Sequence, residues 1–133
     1  MTDTSNTISI DDFAKIEIRV GKVKEAVNVD GSNKLILLTV NFGPSASLDK
    51  TQGKGLGLKT IYTGVRGYGY TPEDFLGKQF LFVTNLKPRQ MPGGESQGMI
   101  LAVDGLEMAF GEHGDKKPIF IPADGLPIGA KIR

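Results

Sequence analysis

From Phe13 onward apolar residues alternate with charged ones, Ile16, Ile18 and Val20 against Lys15, Glu17 and Arg19, and beyond Gly21 the apolar positions resume at Val23, one step out of phase. Alternation with period two marks a strand that has one wet face. A slip of one residue would carry every later side chain to the wrong face unless the strand absorbs an extra residue. The expectation is therefore a β-bulge at Gly21 that bends the strand sharply, and a strand bent in this way suits a small barrel better than a flat sheet. Eighteen glycines in 133 residues, about twice the usual share of ~7%, likewise favour many tight turns over long helices.

The rest of the chain supplies the other walls. Residues 34–42 alternate again, with Ile36, Leu38, Val40 and Phe42 on one side, and Asp30-Gly31-Ser32-Asn33 provides the turn of a hairpin. Further strands are expected at 59–65, at 79–84, where Phe80 and Phe82 back onto Leu81 and Val83, and at 99–103; the first strand spans about 16–27. Thr71-Pro72-Glu73-Asp74 has the form of a helix start, and Gly77 ends that helix after about a turn and a half. Ile119-Phe120-Ile121-Pro122 with Ile128 and Ile132 offers short edge strands near the end. Five strands, a bulged first strand and a helix between the third and fourth match the all-β, five-stranded Greek-key barrel of the OB-fold, followed here by a C-terminal extension. The length suits one domain over residues 11–133, preceded by a flexible stretch over 1–10.

Composition narrows the chemistry. The absence of Cys removes disulfides, thiolate metal sites and Cys nucleophiles, and a single His113 cannot supply both partners of a catalytic pair or fill a zinc site. The expected class is a non-enzymatic protein without cofactor or metal. No apolar run approaches the ~18 residues of a membrane span, and the polar start has no basic, apolar leader, so a cytoplasmic location is expected. Residues 43–58 contain Gly53-Lys54-Gly55, but a phosphate loop needs Gly-Lys-Ser/Thr opening a helix, and no helical pattern follows; the segment reads as a long mobile loop. His113, within Gly111-Glu112-His113-Gly114-Asp115, reads as part of a solvated acidic turn. Tyr62, Tyr68 and Tyr70 have rings that stack on bases in many OB barrels and equally serve as half-buried packing residues.

The net charge of +1 conceals a segregated distribution. Residues 15–89 hold twelve Lys/Arg against six Asp/Glu, whereas residues 1–14 and 90–115 hold only acids. A basic middle fits either a nucleic-acid surface or ordinary solvated strand faces. More specific is the segment Asn85-Leu86-Lys87-Pro88-Arg89-Gln90-Met91, continuing through Gly94-Glu95-Ser96-Gln97-Gly98-Met99. It sets Lys87, Arg89, Ser96 and Gln97 beside three glycines between two apolar strands. Cations and hydroxyls on such a loop meet phosphate and ribose oxygens, and glycine lets a backbone approach closely. The plainer reading is that Asn85 and Ser96 bond the loop to itself and that Met99 is core.

Together with Asp12-Phe13-Ala14-Lys15-Ile16-Glu17-Ile18-Arg19-Val20-Gly21-Lys22-Val23 and the strand at Lys34-Leu35, this segment resembles the tRNA-binding domain family. That family includes stand-alone dimers, the C-terminal appendix of bacterial methionyl-tRNA synthetases and the endothelial-monocyte-activating polypeptide group. The resemblance covers about residues 11–103, and Ala123 to Arg133 is similar to the family's closing Pro-x-Gly strand. It implies an OB barrel that binds tRNA by its shape, alone or in trans to an aminoacyl-tRNA synthetase, as a homodimer. It places the tRNA contacts on Lys34, Asn85, Lys87, Arg89, Ser96 and Met99, with Lys22 a weaker candidate. If these residues lie on a surface loop, replacing Ser96 should change stability by less than ~0.5 kcal/mol. The 44–58 loop is longer than the family's usual one, and Met91-Pro92-Gly93-Gly94 stands where a basic residue is common. Related members also suggest a homodimeric peptide-binding chaperone of protein export, and a purely structural assembly module is a third reading.

Overall fold

The computed structural model describes residues 6–43, 57–107 and 116–133, so His113 and most of the 44–58 loop lie outside the described residues. A short helix, α1 (Ile10–Ala14), leads into nine strands: β1 (Ile18–Asn28), β2 (Ile36–Asn41), β3 (Leu58–Thr63), β4 (Gln79–Val83), β5 (Arg89–Met91), β6 (Gly94–Ser96), β7 (Met99–Ile100), β8 (Ala102–Glu107) and β9 (Lys116–Phe120). Five of them form one antiparallel sheet in the order β3-β2-β1-β4-β7. The sheet curls into a nearly closed barrel, the expected OB architecture. Helix α1 is an addition to the sequence reading. Its signal is Ser9-x-x-Asp12, in which the Ser9 hydroxyl accepts the Asp12 N–H at 3.0 Å and the Asp12 carboxylate accepts the Ser9 N–H.

The bulge exists, but at Lys24 rather than Gly21. Between β1 and β2 the register passes from Val23↔Val40 to Glu25↔Thr39, which leaves Lys24 as the extra residue. Gly21 stays in the ladder opposite Phe80. A Cβ built on it would lie 2.5 Å from Val40 Cγ1 and 2.6 Å from the Phe42 ring, so Gly21 shares the inner face with Val23. There is no change of phase there: glycine occupies an inward position that its neighbours fill. Val20 belongs to the opposite face, yet it is buried too, together with Val83 and Ala123, apart from the main core. The C-terminal segment docks at this end of β1. The Gly129 and Ile132 N–H groups donate to the Val20 and Ile18 carbonyls, at 2.7 and 2.8 Å, and the Arg19 guanidinium donates to the Gly129 carbonyl at 2.9 Å.

The interior follows the alternation of β2. Ile36, Leu38 and Val40 are fully buried against Ile61 and Phe82, and the Phe42 ring meets that of Phe82 edge-on at 5.3 Å. Removing each such side chain from water contributes roughly 1.5–3 kcal/mol. The expected helix between β3 and β4 is a single 3-10 turn, Pro72–Asp74, held by the Asp74 carboxylate accepting the Thr71 N–H at 2.8 Å. Gly77, at φ +77°, ends it and donates its N–H to the Val23 carbonyl. The turn delivers Phe75, fully buried among the rings of Tyr70, Phe80 and Phe120, to one end of the barrel. The expected strand at 99–103 divides. The Leu101 N–H still reaches the Leu81 carbonyl, but from Ala102 the chain leaves β4 and pairs with β9 as a separate hairpin.

Because the space beside Gly21 is taken by Val40 and Phe42, Gly21→Ala should lower stability by about 1–3 kcal/mol. Gly67→Ala, where nothing lies within 4 Å of the added carbon, should stay within ~0.5 kcal/mol. Urea unfolding midpoints of the two variants check this pair.

Candidate nucleic-acid interface

The barrel closes where β3 approaches β7, and the closure needs Gly98. A Cβ there would lie 2.6 Å from the Val83 carbonyl oxygen and 3.3 Å from Ile61. The outer edge of β3 still presents backbone groups that need partners. A hairpin made of β5 and β6, in register Arg89↔Ser96, Gln90↔Glu95 and Met91↔Gly94, supplies them. Pro92 and Gly93, the latter at φ +87°, make its two-residue turn, a conformation glycine adopts without strain. The segment read as a loop thus holds a short hairpin, and Met91-Pro92-Gly93-Gly94 is what turns it.

Side chains dock this hairpin. The Gln97 N–H donates to the Thr60 carbonyl at 2.7 Å, and its side-chain oxygen accepts the Thr60 N–H at 2.9 Å, so one residue satisfies both backbone groups of Thr60. The Thr60 hydroxyl donates to the Glu95 carbonyl at 2.8 Å. Ser96 is buried; its hydroxyl accepts the Tyr62 N–H and donates to the Gly98 carbonyl, both at 3.0 Å. Nothing in this arrangement leaves the Ser96 hydroxyl facing solvent, which corrects the expectation of a surface-loop residue. Asn85 is also engaged with the backbone: its side-chain oxygen accepts the Glu17 N–H at 2.9 Å and its amide donates to the Lys15 carbonyl at 2.6 Å. It fastens the chain entering β1 to the chain leaving β4.

Between hairpin and β3 lies a cleft of about 310 Å³. Tyr62, Leu86, Met91 and Met99 give it an apolar lining, with Ser96 and Gly98 behind and Lys87 and Arg89 at its polar side. Of the residues singled out from the sequence, the structure brings together Lys87, Arg89, Ser96 and Met99; Asn85, Lys34 and Lys22 are not part of the lining. Lys34 sits in the β1–β2 turn, where the Ser32 hydroxyl accepts its N–H, and Lys22 is exposed on β1 between Asn41 and Gln79. Among the described residues ion pairs join Lys15 to Asp12 and Arg19 to Glu17; none involves Lys34, Lys87 or Arg89. Leu86 and Met91 were missed as site residues. Their signal was two apolar side chains within an otherwise polar segment.

Tyrosines divide by position. Tyr62 lines the cleft and its hydroxyl lies close under Gly94. Tyr68 and Tyr70 pack against the core, and the Tyr70 hydroxyl donates to the Pro118 carbonyl at 2.6 Å beneath the Lys117 ammonium. Burial, with the Asp74 carboxylate nearby, raises the Tyr70 phenol above its ordinary value. No cluster of three or more His, Cys, Asp or Glu side chains converges among the described residues, and no described helix is long and apolar enough to cross a membrane.

A five-stranded OB barrel with unpaired cations beside its closing hairpin falls in the class of nucleic-acid-binding barrels. Comparison with known proteins makes the assignment specific. Residues 18–131 match the family described as "Putative tRNA binding domain". The chain is 39% identical over 125 residues, 94% of its length, to the methionine–tRNA ligase of Methanococcus aeolicus, and 41% identical over 98 residues, 74% of its length, to that of Cupriavidus necator. It spans only 15% and 12% of those two proteins. Among solved structures it is similar to a methionyl-tRNA synthetase-related protein from Pyrococcus horikoshii, with TM-score 0.74, 34% identity and coverage of 96% of this chain and 99% of that one. The chaperone CsaA of Bacillus anthracis gives TM-score 0.69 at 26% identity, covering 96% and 99%. The chain belongs to the tRNA-binding domain family.

Docking through Ser96 makes a stability prediction. Ser96→Ala leaves the part-buried Tyr62 N–H without its acceptor and should cost about 1–3 kcal/mol, measured as a shift in urea midpoint, rather than the near-zero change of a surface residue.

Proposed function

We propose that this chain binds tRNA without catalysing a reaction, and that residues 11–133 act as the binding unit. The observation that carries the reading is the pair Lys87 and Arg89, exposed and without an ion pair among the described residues, on a hairpin held rigidly against β3. Membership of the tRNA-binding domain family and identity to methionine–tRNA ligases support it. Free cations on a pre-organised edge suit phosphate oxygens, and such contacts follow the shape of an RNA more than its sequence. Lys34 and Lys22, exposed elsewhere on the barrel, extend the positive surface; Asn85 and Ser96 serve by holding the strands that present it. The reading places the protein in the cytoplasm, with an aminoacyl-tRNA synthetase as a partner.

We also propose a homodimer. Ile8 and Ile10 near the N-terminus, Val103 and Ile119 on the β8–β9 hairpin, and Ile128 in the C-terminal segment are all exposed large apolar side chains. Exposed apolar surface of this kind suits cover by a second copy. Sedimentation equilibrium at micromolar concentration should give twice the 14.3 kDa chain mass; a species of single mass would remove the dimer.

Equilibrium titrations at two salt concentrations test the main reading, with total tRNA, a DNA duplex of similar length and an unfolded peptide as ligands. Binding of tRNA should be tightest and should fall steeply with salt, each neutralised phosphate contributing ~0.7–0.9 to the log–log slope. Arg89→Ala should lower that slope by roughly one and weaken all tRNAs about equally. Tighter binding of the unfolded peptide, with tRNA unaffected by Arg89→Ala, would favour the peptide-binding reading that the CsaA likeness suggests.

A further inference from the structure

The cleft is not a phosphate shelf alone. Leu86, next to Lys87 on the loop after β4, and Met99, at the start of β7, are each 46% exposed although both are large apolar side chains. With Tyr62 and Met91 they give the cleft an apolar lining, whereas phosphate and ribose oxygens gain nothing from thioether and aliphatic carbon. The lining asks for a ligand with an uncharged, flat or apolar part, and Lys87 and Arg89 ask for an anion attached to it. A volume of about 310 Å³ is at the low end for ligand sites, room for a single ring system rather than for the side of a helix.

We propose that the cleft between the β5–β6 hairpin and β3 receives one unstacked nucleotide, its base against Tyr62 and Met99 and its flanking phosphates on Lys87 and Arg89. The inference rests on the tRNA-binding reading and sharpens it: the part of the RNA engaged here is an unpaired loop or end nucleotide, not a stem. Bases in A-form stems are stacked and offer side chains only a shallow groove, while unpaired bases can be splayed onto a protein surface. Every base has a π-face, so such a pocket tolerates sequence while rejecting a continuous duplex. The docking of the hairpin by Gln97, Thr60 and Ser96 fixes the two sides of the cleft relative to each other before the RNA arrives.

The test uses a five-nucleotide oligoadenylate with 2-aminopurine at its centre, the same oligomer abasic at that position, a blunt RNA duplex and total tRNA. The chain contains no Trp, so 2-aminopurine emission can be read without interference. The base-bearing oligomer should bind, with changed 2-aminopurine emission, at least about fivefold more tightly than its abasic twin, and the duplex should bind no better than the twin. Met99→Ala, at a half-exposed position, should remove that advantage while leaving the abasic oligomer and the salt slope unchanged. Leu86→Ala repeats the comparison at a second exposed position. If base-bearing and abasic oligomers bind equally while tRNA binds with its salt dependence intact, the base pocket is overturned and the tRNA reading stands. If the blunt duplex outcompetes the single strand, the cleft engages a stem and the proposal also falls. If none of the RNAs binds the folded protein, the tRNA reading itself fails.

Discussion

The unpaired edge of β3 is the constraint on which the site depends. A sheet in the order β3-β2-β1-β4-β7 must bring its two ends together or leave two rows of backbone donors and acceptors open to other chains. At Gly98 the ends meet directly, because only a residue without a side chain passes between the Val83 carbonyl and Ile61. On either side of Ile61, Thr60 and Tyr62 find partners in Gln97 and Ser96. The cleft lies beside β3 and the hairpin that these bonds dock on it. Its cations and its apolar side chains are therefore placed by the same hydrogen bonds that finish the fold.

This arrangement separates residues that present a surface from residues that hold it. Lys87, Arg89 and Met99 are exposed, whereas Ser96 and Asn85 use their polar atoms on backbone groups nearby. All five lie within residues 85–99. Asn85 ties the end of β4 to the backbone of Lys15 and Glu17, and Ser96, paired with Arg89, helps fix the hairpin to β3 through the Tyr62 N–H.

Where side-chain periodicity was regular, the fold was legible. The β2 run Ile36, Leu38, Val40 points inward as its alternation requires, and Thr71-Pro72 with Gly77 bounds the turn that brings in Phe75. Failures came where two physical causes produce one pattern. The jump from Val20 to Val23 looks like a bulge, yet it arises because Gly21 faces a crowded interior while Val20 is buried on the other face, and the true bulge falls at a lysine. Three-residue strands such as β5 and β6 are too short to show a period, so the hairpin passed for a loop. For Ser96 the sequence offered a hydroxyl beside glycines, and only the position of the Tyr62 N–H decides between ligand and scaffold.

The central claim is that tRNA sits in the cleft beside the β5–β6 hairpin, and the four methionines of the chain allow a direct reading. Met91 and Met99 line the cleft. Titrating unlabelled tRNA into protein carrying 13C-methyl methionine should shift or broaden the Met91 and Met99 methyl resonances first. Saturable tRNA binding that leaves both of those signals in place would contradict the account.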